Sequence, residues 1–268
     1  MSEALKVALV GVGKIAQDQH VPSIAASADW TLAATVSRHG TVDGVEAFRD
    51  MKTMLAARDD IPVVSLCLPP VPRFDYAMAA LEAGRHVMLE KPPGATLAEV
   101  HALAEQATAR GLTIYTTWHS RMAKGVAQAK AWLADRTIER AHITWRESVR
   151  KWHPGQEWIF EPGGMGVFDP GVNALSILTH ILPRPVHLRE AVLEFPENRD
   201  TPIAAALNFS GGVSAEFDWR EEGQDIWDID VETDRGQLCL KHGGNQVVID
   251  GEVLGDAPGL EGEYPALY

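Results

Sequence analysis

The residues of this chain that could carry out chemistry lie in three short segments. These are Gly11–Gly13 after an apolar run, Glu90–Pro92 after another, and Gly163–Asn173, which contains a glycine pair followed by Asp169. A lysine ammonium, a carboxylate and an amide can together take up a proton, stabilise a developing negative charge and orient a hydroxyl group. The sequence therefore indicates a site that acts on a polar small molecule.

Two kinds of sheet are predicted to position these segments. Residues 5 to about 119 alternate short apolar runs with helical patterns, which indicates a parallel sheet covered on both faces. The predicted strands are Leu5–Val10, Thr31–Ser37, Val63–Leu68, His86–Glu90 and Thr113–Thr117, and helices are predicted at Phe74–Ala83 and Leu97–Arg110.

Beyond about residue 120, strand-like alternation dominates and predicts a mostly antiparallel open sheet with helices on one face. The predicted elements are helices at Ala123–Ala134 and Val172–Leu182 and strands at Ala141–Ser148, His187–Phe195, Ile203–Phe209, Val213–Trp219, Trp227–Thr233 and Gln237–Leu240, with Gly211-Gly212 as a hairpin turn. We thus expect an α/β Rossmann domain over 1–120 and an α+β substrate-binding domain over 121–268.

The run Gly11–Ala16 predicts a dinucleotide site, because the glycines permit a tight turn and the following helix offers free N–H groups to a pyrophosphate. A carboxylate after the second strand would favour NAD, but the chain has Ser37, Arg38 and His39 there, which favours NADP over NAD. A solvated Arg38 without a ligand is the alternative. The expected cofactor contacts are Gly11, Gly13, Lys14, Ile15, Ser37, Arg38, His39, Leu68, Pro69, Glu90, Lys91 and Trp118.

Three motifs, GVGKIA, EKP and GGxxxxDxxxN, together resemble the Gfo/Idh/MocA oxidoreductase family over the whole chain. The resemblance implies that Lys91 and Asp169 converge beside a bound nicotinamide ring. Where this family usually has a histidine the chain has Asn173, which cannot exchange a proton at neutral pH and is expected to orient a hydroxyl. Asp169 is the first candidate for the catalytic base, and Lys91 with a lowered pKa is the alternative.

Segments around Trp118, Trp152 and Phe168 are similar to a branch of this family that oxidises aldoses such as L-arabinose and D-galactose at the anomeric carbon. The resemblance implies oxidation of C1 to a lactone, with the hydride passing to the nicotinamide. It also implies further helices beyond the point that corresponds to Tyr268. The expected sugar contacts are Glu147, His153, His119 and Trp152. For Glu147, a salt bridge with Arg146 or Arg150 is an equally acceptable interpretation.

The bulk composition restricts the partners. A net charge of -13 disfavours nucleic acid and anionic membranes, and the start of the chain predicts neither export nor a membrane span. Two isolated cysteines fit a reducing, cytoplasmic location and predict no metal site. An aldose substrate and a homodimer through the second-domain sheet are expected. A metal-dependent enzyme, a non-catalytic dinucleotide-binding sugar sensor, a glycosidase that uses NAD and an oxidoreductase for another polyol are the alternatives.

Overall fold

The structure, a computed structural model, describes residues 3–254 and 262–268. Its described residues divide into two compact units: one contains the residues up to Thr117 together with Tyr264–Tyr268, and the other lies within Trp118–Glu263. The last five residues were expected in the second domain. They lie with the first unit because Tyr264 and Tyr268 form hydrogen bonds with buried side chains of that unit.

The first unit is built on a parallel sheet of six strands in the order β3-β2-β1-β4-β5-β6. Its strands are β1 Leu5–Val10, β2 Trp30–Val36, β3 Glu46–Phe48, β4 Val63–Leu66, β5 His86–Glu90 and β6 Ile114–Thr117. Its helices are α1 Val21–Ala26, which continues from a π-helical turn at Ala16–His20, α2 Met51–Ala57, α3 Pro70–Glu82 and α4 Leu97–Ala109. Strand order reverses at β1, which pairs with β2 on one side and β4 on the other, and such switch points are where open α/β sheets bind ligands.

The Rossmann architecture predicted from the sequence is confirmed, but β3 and α2 were not predicted. Strand β3 is three residues long and lies at the edge of the sheet, so it has no continuous apolar run to reveal it. Helix α2 begins after Asp50, whose side chain accepts a hydrogen bond from the backbone N–H of Thr53 at 2.8 Å. Both elements are too short to show a clear periodic pattern of apolar residues.

The second unit contains an eight-stranded sheet in the order β14-β13-β12-β11-β7-β10-β9-β8. Its strands are β7 Ile138–Arg146, β8 Leu188–Glu194, β9 Ala204–Phe209, β10 Val213–Asp218, β11 Ile226–Thr233, β12 Gly236–Lys241, β13 Gln246–Ile249 and β14 Glu252–Val253. Its helices are α5 Val126–Leu133, α6 Val149–Trp152 and α7 Phe168–Ile181. Among the strands described in this unit, β7 and β10 form the only parallel pair, so the predicted, mostly antiparallel sheet is confirmed.

One face of this sheet forms the core of the second unit. Ala141, Ile143 and Trp145 alternate along β7 and are buried together with residues of α5 and α7. The predicted hairpin turn at Gly211-Gly212 is confirmed, since both glycines have positive φ angles of 74° and 73°. Helix α7 therefore lies on the core face and carries Asp169 in its first turn.

Candidate functional site

The glycine turn after β1 fits a bound pyrophosphate. Gly11 has a φ angle of 90°, and a Cβ there would lie 2.9 Å from Cδ2 of Leu68, so the protein itself requires glycine. A Cβ on Gly13 would meet nothing within 4 Å, which leaves open space beside this backbone. The chain enters a helix at once, since the N–H of Gln17 donates to the carbonyl of Gly13 at 3.1 Å. Close backbone approach and a helix N-terminus are what a dinucleotide phosphate needs.

The loop after β2 lies against this glycine turn. A Cβ on Gly40 would be 2.3 Å from the carbonyl oxygen of Val12, so only glycine permits the contact. The hydroxyl of Ser37 accepts hydrogen bonds from the backbone N–H groups of His39, at 3.4 Å, and Gly40, at 3.1 Å. Arg38 is exposed and forms no hydrogen bond or ion pair with any residue in the described ranges. A cation is thus available next to the turn.

The other expected cofactor contacts are placed as follows. Lys14 is exposed and pairs with Asp18, and Ile15 is also exposed. Leu68 and Pro69 follow β4, where Leu68 is half-buried and Pro69 is exposed. Trp118 belongs to the second unit and has the guanidinium of Arg121 at 5.5 Å from its ring centre. Contact of these residues with a cofactor stays a prediction.

Lys91 follows β5 and is half-buried, and its peptide bond to Pro92 is cis. The guanidinium of Arg73, which is buried, donates to the backbone carbonyls of Glu90, Pro92 and Leu68. The carbonyls on both sides of the lysine are therefore fixed by a single side chain from α3.

Glu90, the residue before Lys91, lies in a hydrogen-bonded cluster inside the first unit. Its side chain is buried and accepts hydrogen bonds inside the first unit, from His20 Nε2 at 3.0 Å, Thr117 Oγ1 at 2.8 Å and Tyr264 OH at 3.1 Å. Its other oxygen accepts the backbone N–H of Lys91 at 2.9 Å. The carboxylate is thus held inside the first unit by these four hydrogen bonds, and its contact with a cofactor stays a prediction.

His20 was missed by the sequence reasoning, and no motif marks it. Burial disfavours its charged form, but the neighbouring Cys67, Glu90 and Tyr268 outweigh burial and raise the pKa of His20 well above its usual value. A protonated His20 beside Glu90 makes a buried, charge-balanced pair.

In the second unit, the glycine segment before α7 sets the position of Asp169. A Cβ on Gly164 would be 2.4 Å from the carbonyl oxygen of Trp158, and one on Gly166 would be 2.3 Å from that of Pro202. Asp169 then enters the first turn of α7 with its N–H donating to Gly166 at 2.9 Å. Asn173 lies four residues further along α7, on the same face.

Glu147 lies just after β7, where its side chain is buried and accepts two indole N–H groups. Trp227 Nε1 donates at 2.8 Å and Trp219 Nε1 at 3.3 Å. The salt bridge with Arg146 or Arg150 is wrong, because these arginines pair instead with Glu216 at 2.6 Å and Glu222 at 2.5 Å, on exposed parts of the unit.

Burial raises the pKa of Glu147 to about 7, against the two indole hydrogen bonds, which lower it. The nearby carboxylates of Asp169 and Asp225 add repulsion in the same direction as burial. Glu147 is therefore a buried carboxyl group that can hold or release a proton near neutral pH.

The remaining expected sugar contacts lie around Glu147 and Asp169. His153 Nε2 is 3.6 Å from Oδ2 of Asp169, and its ring centre is 5.2 Å from that of Trp219. The ring of Trp152 is 5.2 Å from that of Trp227. The structure thus brings Glu147, His153, Trp152 and Asp169 together through Trp219 and Trp227. Sequence reasoning missed these last two residues because eight tryptophans in the chain give no way to choose among them.

His119 has a separate partner. Its Nδ1 is 2.6 Å from Oε2 of Glu263, a carboxylate that is 1% exposed, and the side chain of Asn245 donates to the other oxygen at 3.3 Å. A buried carboxylate therefore fixes this imidazole, and its contact with a sugar stays a prediction. Across residues 3–254 and 262–268, no group of three or more His, Cys, Asp or Glu side chains could hold a metal ion. Over the same residues, no helix is long and apolar enough to cross a membrane.

Known proteins are similar to this chain in both sequence and fold. The Gfo/Idh/MocA profile, described as an oxidoreductase family with an NAD-binding Rossmann fold, matches residues 5–117. A protein named galactose 1-dehydrogenase from Pseudomonas fluorescens is 42% identical over 272 residues, which cover 99% of this chain and 87% of that protein. The crystal structure of a D-galactose-1-dehydrogenase protein from Rhizobium etli is 53% identical, with a TM-score of 0.94, and the match covers 100% of this chain and 87% of that one.

A more distant relative is the dTDP-3,4-didehydro-2,6-dideoxy-alpha-D-glucose 3-reductase of Streptomyces antibioticus, which is 29% identical over 81% of this chain and 69% of its own length. This chain belongs to the Gfo/Idh/MocA oxidoreductase family. The membership that the three motifs predicted is thereby confirmed, and the first unit is a Rossmann fold of the NAD-binding kind.

Proposed function

We propose that this chain is a nicotinamide-dependent aldose 1-dehydrogenase that oxidises C1 of D-galactose, and of L-arabinose, to the lactone. The observation that carries the proposal is 42% and 53% identity, over nearly the whole chain, to two proteins named galactose 1-dehydrogenase. L-Arabinose has the same ring stereochemistry from C1 to C4 and lacks only the exocyclic hydroxymethyl group, so one site can accept both sugars.

The first unit is proposed to bind the cofactor through the glycine turn and the loop after β2. When bound, the nicotinamide supplies the chemistry of hydride acceptance from C1. The chain's own contribution at this point is Lys91, whose ammonium stabilises the negative charge that develops on the anomeric oxygen. The position of this lysine is fixed by Arg73 and Glu90.

The second unit is proposed to bind the sugar and accept the proton. Asp169 takes the proton of the anomeric hydroxyl as the C1–H bond breaks, and C1 and its oxygen become the lactone carbonyl. The approach of His153 Nε2 to 3.6 Å from Asp169 supports this role, because the imidazole can pass the proton on. Asn173 orients a sugar hydroxyl from the same helix face. Lys91 as the base remains the alternative.

Sugar recognition is proposed for Glu147 with His153, Trp152 and His119. A carboxyl group held by two indole N–H groups offers a rigid acceptor, and flat tryptophan rings fit the C–H edges of a pyranose. An epimer that left these buried polar groups without a partner would be rejected strongly.

We also propose a preference for NADP over NAD. Ser37, Arg38 and His39 supply hydrogen-bond donors and a guanidinium, and none of them is a carboxylate that would repel a 2′-phosphate. Arg38 is exposed and lies in the loop that contacts the glycine turn, which supports the preference for NADP. A higher kcat/KM with NAD than with NADP would reject it.

One experiment tests the proposed reaction. Purified protein is mixed with NADP or NAD and with D-galactose, L-arabinose, D-glucose or D-mannose, and the absorbance of reduced nicotinamide is followed. We expect reduction with the first two sugars, and its loss in Asp169→Asn, which keeps the shape of the side chain. Asp218→Asn, at a half-buried position of β10 whose carboxylate pairs with Arg220, is the control. Sugar and cofactor binding without any reduction would favour the sensor, and release of an aglycone without net reduction would favour the glycosidase.

A homodimer through the second-domain sheet is proposed as well. The face of the sheet opposite α5 and α7 presents both charge signs side by side, with Arg140 paired to Glu232 and Arg146 to Glu216. Such a mixed face can complement a two-fold copy of itself. Sedimentation equilibrium gives the mass directly, and a monomer at micromolar concentration would reject the dimer.

A further inference from the structure

The backbone on both sides of Lys91 is clamped by a buried guanidinium. Arg73, which is 2% exposed, donates to the carbonyl oxygens of Glu90 and Pro92 and, through Nε at 3.1 Å and Nη2, to that of Leu68. Planar guanidinium groups hold several acceptors in a fixed geometry, which a flexible lysine could not do. The clamp therefore joins the end of β4 to the segment that carries Lys91.

The N–H of Lys91 itself is held by the side chain of the preceding residue. Oε2 of Glu90 accepts this N–H at 2.9 Å, while Oε1 accepts His20 Nε2, Thr117 Oγ1 and the hydroxyl of Tyr264 at 2.8 to 3.1 Å. Hydrogen bonds to an ionised, 4% exposed carboxylate are stronger than neutral ones. Glu90 therefore connects the backbone of Lys91 to three different parts of the unit.

His20, which contacts this carboxylate, is itself held by Tyr268. The second ring nitrogen of His20 lies 2.6 Å from the hydroxyl of Tyr268, and the hydroxyl of Ser27 donates to the backbone carbonyl of Tyr268 at 3.2 Å. Two tyrosines of the segment 264–268 thus fix, directly or through His20, the group that holds Lys91. None of these residues needs to touch a ligand to do so.

We propose that Glu90 is a positioning residue, and that its buried carboxylate, held by His20, Thr117 and Tyr264, fixes the backbone of Lys91 so that the ammonium stays aligned with the bound nicotinamide. The inference rests on the proposed dehydrogenase function and deepens it. Alignment matters because a displacement of about 1 Å at a reacting group can cost on the order of 100-fold in rate.

The test compares Glu90→Gln with Thr35→Val. Thr35 is equally buried, in β2 of the same sheet, and contacts none of the cluster, so its variant reports the effect of losing a buried polar group alone. Both proteins are normalised by cofactor-binding stoichiometry. We expect Glu90→Gln to lower kcat by roughly 10- to 100-fold, while the KM for sugar and the Kd for cofactor change by less than about threefold. Thr35→Val should keep the wild-type kcat.

A deuterium isotope effect distinguishes positioning from a general loss of folded protein. With sugar deuterated at C1, misalignment of Lys91 makes hydride transfer more rate-limiting, so the isotope effect on kcat should rise in Glu90→Gln. An unchanged isotope effect, or a kcat equal to that of Thr35→Val, would overturn the proposal. If Glu90→Gln does not fold, Tyr264→Phe removes one donor and keeps the charged pair. It should raise the isotope effect, and a wild-type value there would equally overturn the proposal.

A second measurement does not depend on turnover. The rate of reductive methylation of Lys91, read by peptide mass spectrometry, reports the environment of its amine in the wild type and in each variant. We expect the rate to change in Glu90→Gln and to stay at the wild-type value in Thr35→Val. If the wild type reduces no cofactor with any sugar, the proposed function fails, while an altered methylation rate still supports positioning and an unaltered one refutes it.

Discussion

Replacing Glu147 by glutamine should change the way in which stability depends on pH. The carboxyl group is buried, and burial raises its pKa from 4.5 to about 7. Between these values the unfolded chain has released the proton while the folded protein still holds it. Folded protein therefore loses stability as the pH rises through this range, because folding must reverse the ionisation. Glutamine does not titrate, so its contribution to the free energy of unfolding stays constant over this pH range.

The size of the effect follows from the two pKa values. Each pH unit between them is worth about 1.4 kcal/mol, so a complete change from 4.5 to 7 amounts to about 3.4 kcal/mol. About 2.5 kcal/mol of this falls between pH 5 and pH 8. Glutamine can accept only one of the two indole N–H groups, which costs roughly 1 kcal/mol at every pH. The variant should therefore be close to the wild type at pH 5 and more stable than it at pH 8.

The assay is urea unfolding at pH 5, 6, 7 and 8, followed by tryptophan fluorescence, with the free energy of unfolding of the variant minus that of the wild type plotted against pH. The matched control is Glu216→Gln, an exposed position on β10, where the difference should stay within about 0.5 kcal/mol. A flat difference for Glu147→Gln, or a wild type that gains stability relative to the variant as the pH rises, would contradict a raised pKa of Glu147.

Arg38→Ser should lower kcat/KM for NADP by at least about tenfold and leave NAD nearly unchanged, and equal losses with both cofactors would contradict a 2′-phosphate contact. Gly40→Ala should destabilise the protein by about 1 to 3 kcal/mol in thermal unfolding, because the Cβ would be 2.3 Å from the Val12 carbonyl; wild-type stability would show that this contact can relax. His153→Asn should lower kcat far more than cofactor affinity, and an unchanged kcat would remove it from the proton path.

The sequence predicted the strands that are long and continuously apolar. Runs such as Leu5–Val10 and His86–Glu90 have the same bounds in the structure, because buried parallel strands leave an unbroken apolar signal. Glu46–Phe48 could not be predicted in this way, since an exposed edge strand of three residues shows neither alternation nor an apolar run. The return of Tyr264–Tyr268 to the first unit depends on contacts far apart in sequence, which no local pattern contains.

The candidate site was predictable where a motif fixes the backbone. The glycine turn and the segment before Asp169 need glycine for steric reasons, so their residue types are visible in the sequence. The partners of Glu147 and Glu90 were not predictable, because Trp219, Trp227 and His20 come from separate elements and belong to no motif. The salt bridge with Arg146 or Arg150, which the sequence allowed as the alternative to a sugar contact of Glu147, is wrong because the sequence shows neighbouring arginines but not burial.

The segment Tyr264–Tyr268 is synthesised after the residues of the second unit, although it belongs to the first unit. During translation, Glu90 and His20 of the nascent Rossmann unit therefore lack the hydroxyl groups of Tyr264 and Tyr268 until the second unit has been synthesised. Proteins usually fold from their first domain onward as they leave the ribosome. Here two hydroxyl partners of the buried His20–Glu90 pair arrive only after the residues of the second unit, so a translation product interrupted before Tyr264 should hold this pair less stably.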